Sequence, residues 1–263
     1  MPLLCRFFYD LRYTALMAHE GIGIFGRHVV EEALQNAPEA VEEVYIAKDL
    51  DDSKIRGLIQ RRKVRTFDIQ LGFALVPRDA VHQGVIARIA VDALIQPYKD
   101  FIAKHKASPN SMLIVLDELQ DPHNVGSIIR SAAAFGASGI LIPSNNQAPI
   151  TGTVIKVSAG MAFRIPLVSI GNVNQTIRDL KEKGFWIYGL SGEATTPIMQ
   201  EKFDAPSVLV VGNEGDGIRA KTLEHCDIPL AIPMNPQCES LNAAVSTAVA
   251  LYAWSLKHPN VVR

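Results

Sequence analysis

The 263-residue chain is poor in cysteine: Cys5, Cys226 and Cys238 are an odd, scattered set with neither a disulfide framework nor metal-ligand spacing. Such a set suits a reducing compartment, and a cytoplasmic setting is expected. Net charge is missing too, since 26 Lys and Arg against 27 Asp and Glu leave −1. The balance neither suggests nor excludes nucleic acid, because a phosphate-binding face can be local. Runs of membrane-span length are absent. The uncharged stretch Leu241 to Leu256 is too short for a typical span and carries several polar residues, so no membrane partner is expected. His28, His82, His123 and His225 fall into no ligand pattern, and no metal is expected. Two further motifs are lacking. GNEGDG at 212–217 has no GK[ST], so it is no Walker loop. Ser240 has no nucleophile-elbow context and no His-Asp pair, which removes a hydrolytic triad.

What remains is an ordinary apolar fraction and alternating strand and helix patterns, enough for two α/β units. Residues 1–20 are expected to be a disordered extension; a start at Met17 or a weak targeting segment are the other readings of this aromatic, weakly basic stretch. Residues 21–91 read as a small α/β unit. Gly21, Gly23 and Gly26 satisfy the bare G-x-G-x-x-G pattern, but no strand precedes them, so a simple strand-to-helix entry is preferred. The helix is expected at about Arg27 to Asn36. Val41–Ala47, Ser53–Arg62 and Val64–Phe67 follow as strand, helix and strand, and Val81–Ala90 as a turn with a buried strand. Arg61, Arg62, Lys63 and Arg65 are the concentrated basic run, either a solvated helix end or a backbone contact for nucleic acid. The polar stretch 92–110 is read as a linker with a possible short helix, and 111–263 as the second unit.

That unit opens on the apolar strand Met112–Leu116. Asn124 is a plausible N-cap for the following helix, Gly136 closes it, and Gly139–Ile142 is the next strand. Such strand-helix-strand order builds a parallel sheet. Three polar groups fall at C-terminal strand ends: Asn124 with Arg130, Asn213 with Glu214, and Glu239, Ser240 with Asn242. Ligands of open α/β sheets bind at that edge. Arg130 could meet a phosphate or carboxylate, or pair with Glu214. Leu241, Val245, Val249, Tyr252 and Leu256 recur at helical spacing, which suits a terminal helix lying against a core.

DPHNVGSIIRSAAAFG, LVVGNEGDGI and IPMNPQCESLN, in that order, resemble the three motifs of the SpoU (TrmH-like) family of RNA ribose 2'-O-methyltransferases. IFGRHVVEEAL and AVHQGVIARI resemble the substrate-binding domain of its rRNA guanosine-2'-O-methyltransferase branch, so the likeness spans roughly residues 22–256. It implies a C-terminal SPOUT-type α/β domain with a parallel sheet and a trefoil knot, a homodimer, S-adenosylmethionine as cofactor and rRNA as partner. Carried onto this chain, Gly212, Ile232 and Leu241 match the main cofactor positions, with Leu190, Asn213, Met234 and Ser240 as neighbours. Asn124, Arg130, Glu214, Ser240 and Asn242 match the polar catalytic set, with Glu214 expected to orient Arg130. A guanosine of large-subunit rRNA is the expected target. A tRNA 2'-O-methyltransferase and a catalytically silent RNA-binding protein are the alternatives. Two departures stand beside these residues: Asn235-Pro236 replaces the small residue that commonly follows IPM, and Ala243–Ser246 replaces a VSVA-like continuation.

Overall fold

A computed structural model describes residues 21–262. The expectation for residues 1–20 lies outside the described residues.

The first unit is a four-stranded sheet in the order β1 (Ile22–Phe25), β4 (Val85–Ile89), β2 (Val41–Ile46), β3 (Arg65–Asp68). Helices α1 (Arg27–Asn36) and α2 (Ser53–Arg62) pack on it. Asp52 begins α2 by accepting from the Ile55 N–H, and Lys63 ends it in the left-handed conformation. Helical turns over Ile69–Leu75 close a smaller apolar cluster around Tyr45. The glycines near residue 21 have packing reasons: a Cβ on Gly23 would lie 2.0 Å from the Leu75 carbonyl oxygen.

The second unit is an eight-stranded parallel sheet. Its order is β10 (Thr196–Pro197), β12 (Ile228–Ala231), β9 (Trp186–Leu190), β11 (Ser207–Gly212), β6 (Met112–Asp117), β7 (Gly139–Pro143), β8 (Leu167–Ile170), β5 (Ile95–Pro97). Every residue of β6 and β7 is buried, as both faces of a parallel sheet require. Met112, Ile114 and Leu116 point to one core, shared with α4 (Pro122–Ala134), α5 (Gly152–Val157) and α8 (Ala243–Lys257). Leu113 and Val115 point to the other, with α6 (Val173–Glu182) and Leu223 of the short α7 (Ala220–Leu223). The chain runs outward from β6 through β7 and β8, then returns to build the other half, so the order reverses between β6 and β11. After β12 it crosses back to α8, which packs on α4 and β11. That crossing is where the family likeness puts the knot.

Three expectations are corrected. Residues 92–110 are not a free linker: β5 pairs with β8, and α3 (Tyr98–Lys104) buries Phe101 in the second core. The lysines that made the stretch look like a tether, Lys99 and Lys104, are exposed on that helix. Asn124 is not the cap of α4; Asp121 caps it by accepting from the His123 N–H, Pro122 opens the helix, and Asn124 is buried inside its first turn. Most clearly, the apolar stripe of α8 does not face the core. Val245, Val249, Tyr252 and Leu256 are 48%, 37%, 54% and 60% exposed, while Ala244, Thr247, Ala250, Leu251 and Trp254 are buried. Its inner side carries Ala244, Thr247 and Ala250 with Leu251 and Trp254 anchoring it in the core, and the valines, tyrosine and second leucine of the stripe stand outside.

Phe101→Ala is expected to lower the urea-unfolding stability by about 3–5 kcal/mol, the cost of emptying a buried aromatic site. A change within about 0.5 kcal/mol, the scale of a surface substitution, would return this stretch to a tether.

Candidate active site at the sheet edge

The order reversal places the end of β6 beside the end of β11, with Gly212 paired to Asp117. Crevices for ligands form at this kind of position. Asp117 closes an apolar strand and is fully buried, so its charge needs a partner. Arg219 supplies it: Nε and Nη2 donate to Asp117 Oδ1 at 2.9 and 2.5 Å, and its backbone N–H donates to Oδ2 at 3.2 Å. Nη1 donates to Glu118 at 2.7 Å. The Asp117 hydrogen bonds hold the guanidinium pKa above its ordinary value. This pair ties the end of the 212–218 loop to β6. The sequence reading missed it, although an aspartate closing MLIVLD was the available signal.

The loop itself is tight. Asn213 Oδ1 accepts from the Gly215 and Asp216 N–H groups at 2.9 and 2.8 Å, and Asn213 N–H donates to the Gly217 carbonyl at 3.0 Å. A Cβ on Gly212 would stand 2.1 Å from the Gly217 carbonyl carbon, so glycine there is required by the loop's own return. Glu214 thereby hangs over the start of α4. Its oxygens accept from Asn124 Nδ2 at 2.7 Å and, longer, from the Gln120 and Asp121 N–H groups at 3.4 Å. A carboxylate there also suits the positive end of the helix.

Asn124 continues the chain of bonds. Its Oδ1 accepts from Asn242 Nδ2 at 2.8 Å, and Asn242 Oδ1 accepts from the Ala244 and Val245 N–H groups at 2.9 and 3.2 Å, capping α8. Each orientation dictates the next: a carboxylate only accepts, so Asn124 turns its NH2 toward Glu214 and its oxygen toward Asn242. Three loops far apart in sequence are joined by one polar thread.

Beside it lies a small open cleft with a cavity volume of about 100 Å³. Leu190, Ile232, Met234, Ser240 and Leu241, all expected at a cofactor site, line it with Ser191, Gly192, Leu230 and Glu239. Gly212 and Asn213 instead build the neighbouring loop. Ser191 and Gly192 follow β9 directly, so the strand-end rule alone could have found them. Asn235-Pro236 forms a turn closed by the Cys238 N–H on the Asn235 carbonyl at 2.8 Å, which spends this departure in exposed backbone after Met234.

Arg130 does not join Glu214. It lies six residues, about 9 Å and some 240° around the helix, from Asn124, so the two side chains leave α4 on different faces. It is exposed, and among the described residues no acidic side chain pairs with it. The basic run is also largely used in structure: Arg62 donates to the Leu34 and Gln35 carbonyls at the end of α1, and Arg65 pairs with Glu43. Burial pushes the Cys226 thiol up to about 12, which makes it inert. No helix among the described residues is long and apolar enough to cross a membrane.

The fold and the site together define a SPOUT-type methyltransferase domain. Similar architecture occurs in the SpoU methyltransferase AviRb of Streptomyces viridochromogenes in complex with AdoMet (TM-score 0.77, 22% identity, 94% of both chains). It recurs in an AdoMet-bound rRNA methyltransferase of Sinorhizobium meliloti (TM-score 0.71, 20% identity, 91% of this chain and 88% of that one). At these identities the likeness shows the fold. A family model described as "SpoU rRNA Methylase family" matches residues 111–252, and "RNA 2'-O ribose methyltransferase substrate binding" matches 24–92. The 23S rRNA (guanosine-2'-O-)-methyltransferase RlmB of Haemophilus influenzae is 37% identical over 239 residues, 87% of this chain and 95% of the relative. Its Salmonella typhimurium counterpart is 37% identical over 235 residues, 87% of this chain and 96% of the relative. The chain belongs to the SpoU rRNA methylase family.

The lining of the cleft suits S-adenosylmethionine, the cofactor of this family, by its chemistry. Its walls are mostly apolar, Glu239 is the one charged side chain among its lining residues, and no lysine or arginine there would repel a sulfonium.

Breaking the thread should be costly on both sides. Asn124→Ala and Asn242→Ala are each expected to destabilise by about 1–3 kcal/mol, because each leaves a polar partner unmet. Their effects should couple by at least about 0.5 kcal/mol in a double-mutant cycle. Strict additivity in denaturant titrations would show that the two amides do not act together.

Proposed function

We propose that this protein methylates a ribose 2'-hydroxyl of rRNA, a guanosine of the large subunit, as a homodimer in the cytoplasm. The observation that carries this reading is the joining of all three motif loops at one sheet edge, beside an apolar cleft. When bound, S-adenosylmethionine supplies an electrophilic methyl on sulfur, which the 2'-oxygen takes with release of S-adenosylhomocysteine. Leu190, Ile232, Met234 and Leu241 would hold the cofactor, with Ser240 at the mouth of the cleft and Gly212 and Asn213 shaping its rim. Residues 24–92 would hold RNA, and the catalytic unit would include 95–104 as well as 111–263.

Asn124, Glu214 and Asn242 keep the walls in register rather than moving protons. Arg130 is left to engage the hydroxyl or an adjacent phosphate. A guanidinium keeps its proton and is a poor free base, so its work is to favour the alkoxide by charge while the proton passes to phosphate or water. Its separation from Asn124 and its exposure favour a site completed by pairing two chains. The stripe Leu241, Val245, Val249, Tyr252 and Leu256 offers the surface for that, and Tyr252 packs on Phe135 just beyond the end of α4, with ring centroids 6.0 Å apart. Contiguous apolar surface of this kind marks an interface.

Mapping 2'-O-methyl groups in rRNA and tRNA with and without the gene tests the reading. A mark lost from large-subunit rRNA supports it, and loss confined to tRNA would replace it with the tRNA alternative. Arg130→Ala should keep cofactor affinity in calorimetry while transfer falls at least about a hundredfold, the scale of a positioned catalytic group. Near-normal turnover would remove Arg130 from its role. Val249→Asp should give monomers in sedimentation and lose transfer in step; an active monomer would separate catalysis from pairing.

A further inference from the structure

The contact between the two sheet units resembles a core rather than a hinge. Val29, Val30 and Ala33 of α1 share one buried cluster with Val154 and Ile155 of α5 and with Ala162 and Phe163. Two glycines remove side chains where the units touch. A Cβ on Gly152 would lie 2.4 Å from the Gly23 carbonyl oxygen, and one on Gly160 would lie 2.9 Å from the Glu32 Cβ. Lys156 sits over the Phe25 ring, 4.9 Å from its centroid.

At this seam Glu32, only 3% exposed, meets Arg164. Nε donates to Oε2 at 2.5 Å and Nη2 to Oε1 at 2.8 Å, a two-pronged match across 132 residues of sequence. Asn36 Nδ2 adds a bond to Glu32 Oε2 at 2.9 Å, so both carboxylate oxygens are occupied. The Arg164 hydrogen bonds hold the Glu32 carboxyl below its ordinary range despite the opposing cost of burial. A fork-to-carboxylate pair allows essentially one relative orientation of its partners. Interfaces between mobile domains are typically more polar and less continuous than this one.

We infer that Glu32 and Arg164 are a positioning pair, which locks the small sheet unit onto the catalytic unit so that RNA is presented to the cleft at a fixed distance. This rests on the methyltransferase reading above. Fixed presentation matters because a unit that must first find its orientation binds RNA more weakly, while the complex, once formed, reacts as before. Neither residue touches the cleft, so its action is through the orientation of the RNA-holding unit. Nothing in the sequence signals it, since Glu32 reads as one more exposed acid in HVVEEAL.

Three variants disturb the seam in different ways. Glu32→Gln keeps the shape and removes the charge, Arg164→Lys keeps the charge and removes the fork, and Gly152→Val drives a wedge against the Gly23 backbone. Small-angle scattering of the wild-type chain should fit one compact arrangement of the units, and Glu32→Gln and Gly152→Val should broaden it. With rRNA as substrate, both should raise KM at least about tenfold, while kcat at saturating RNA and the Kd for S-adenosylmethionine stay within about twofold. Arg164→Lys should fall between them and the wild type. A wild-type chain whose scattering needs many arrangements overturns the lock, as do variants with broadened scattering and unchanged KM. If kcat and cofactor binding decline together with the melting temperature in all three, the pair is structural only and the inference fails. A wild-type chain inactive on rRNA would instead overturn the functional reading, and scattering would still decide the lock.

Discussion

The hydrogen-bonded thread from Glu214 through Asn124 to Asn242 is the interaction on which the site depends. It has one direction, fixed at one end by an acceptor-only carboxylate and at the other by the free N–H groups of α8. Because it spans the loops after β6, β11 and β12, none of the three can shift without leaving an amide unmet. The buried Asp117–Arg219 pair acts beneath it, holding the far end of the 212–218 loop to the neighbouring strand. The cleft inherits its shape from both. Of the residues that match catalytic positions by pattern, Glu214, Asn124 and Asn242 thus bond to one another, Ser240 lines the cleft, and Arg130 stands apart.

That division was only partly legible beforehand. Strand and helix positions were readable because α1, α2, β6 and β11 carry strong periodic or continuous apolar patterns. That Leu190, Ile232, Met234 and Leu241 share one cleft was readable because family pattern and strand ends agreed. The direction of α8 was not. Leu, Val and Tyr at helical spacing announce an apolar face but not what covers it, and the buried side proved to be the one with Ala244, Thr247, Ala250, Leu251 and Trp254. Likewise the lysines around Phe101 masked a helix that belongs to the sheet. Glu214 with Arg130 was plausible as charge chemistry, yet six residues of helix geometry part Arg130 from the site that Asn124 marks. Ion pairs such as Asp117–Arg219 and Glu32–Arg164 join residues more than a hundred positions apart; the aspartate closing MLIVLD signals a need for a partner, but nothing local names the partner in either pair.

The architecture also explains how two departures from the family pattern sit beside retained residues. The Asn235-Pro236 turn closes on its own backbone and lies in exposed chain, while Met234 before it still lines the cleft. Ala243 and Ala244 open α8 where Asn242 caps it, and the small side chains let that helix lie against α4.

The most direct measurement is a crystal structure of the chain with S-adenosylhomocysteine. Density for the nucleoside is expected between Leu190, Ile232 and Leu241, with the Glu214–Asn124–Asn242 bonds unchanged. Density at any other place, or a cleft that opens only when those bonds break, would contradict this expectation.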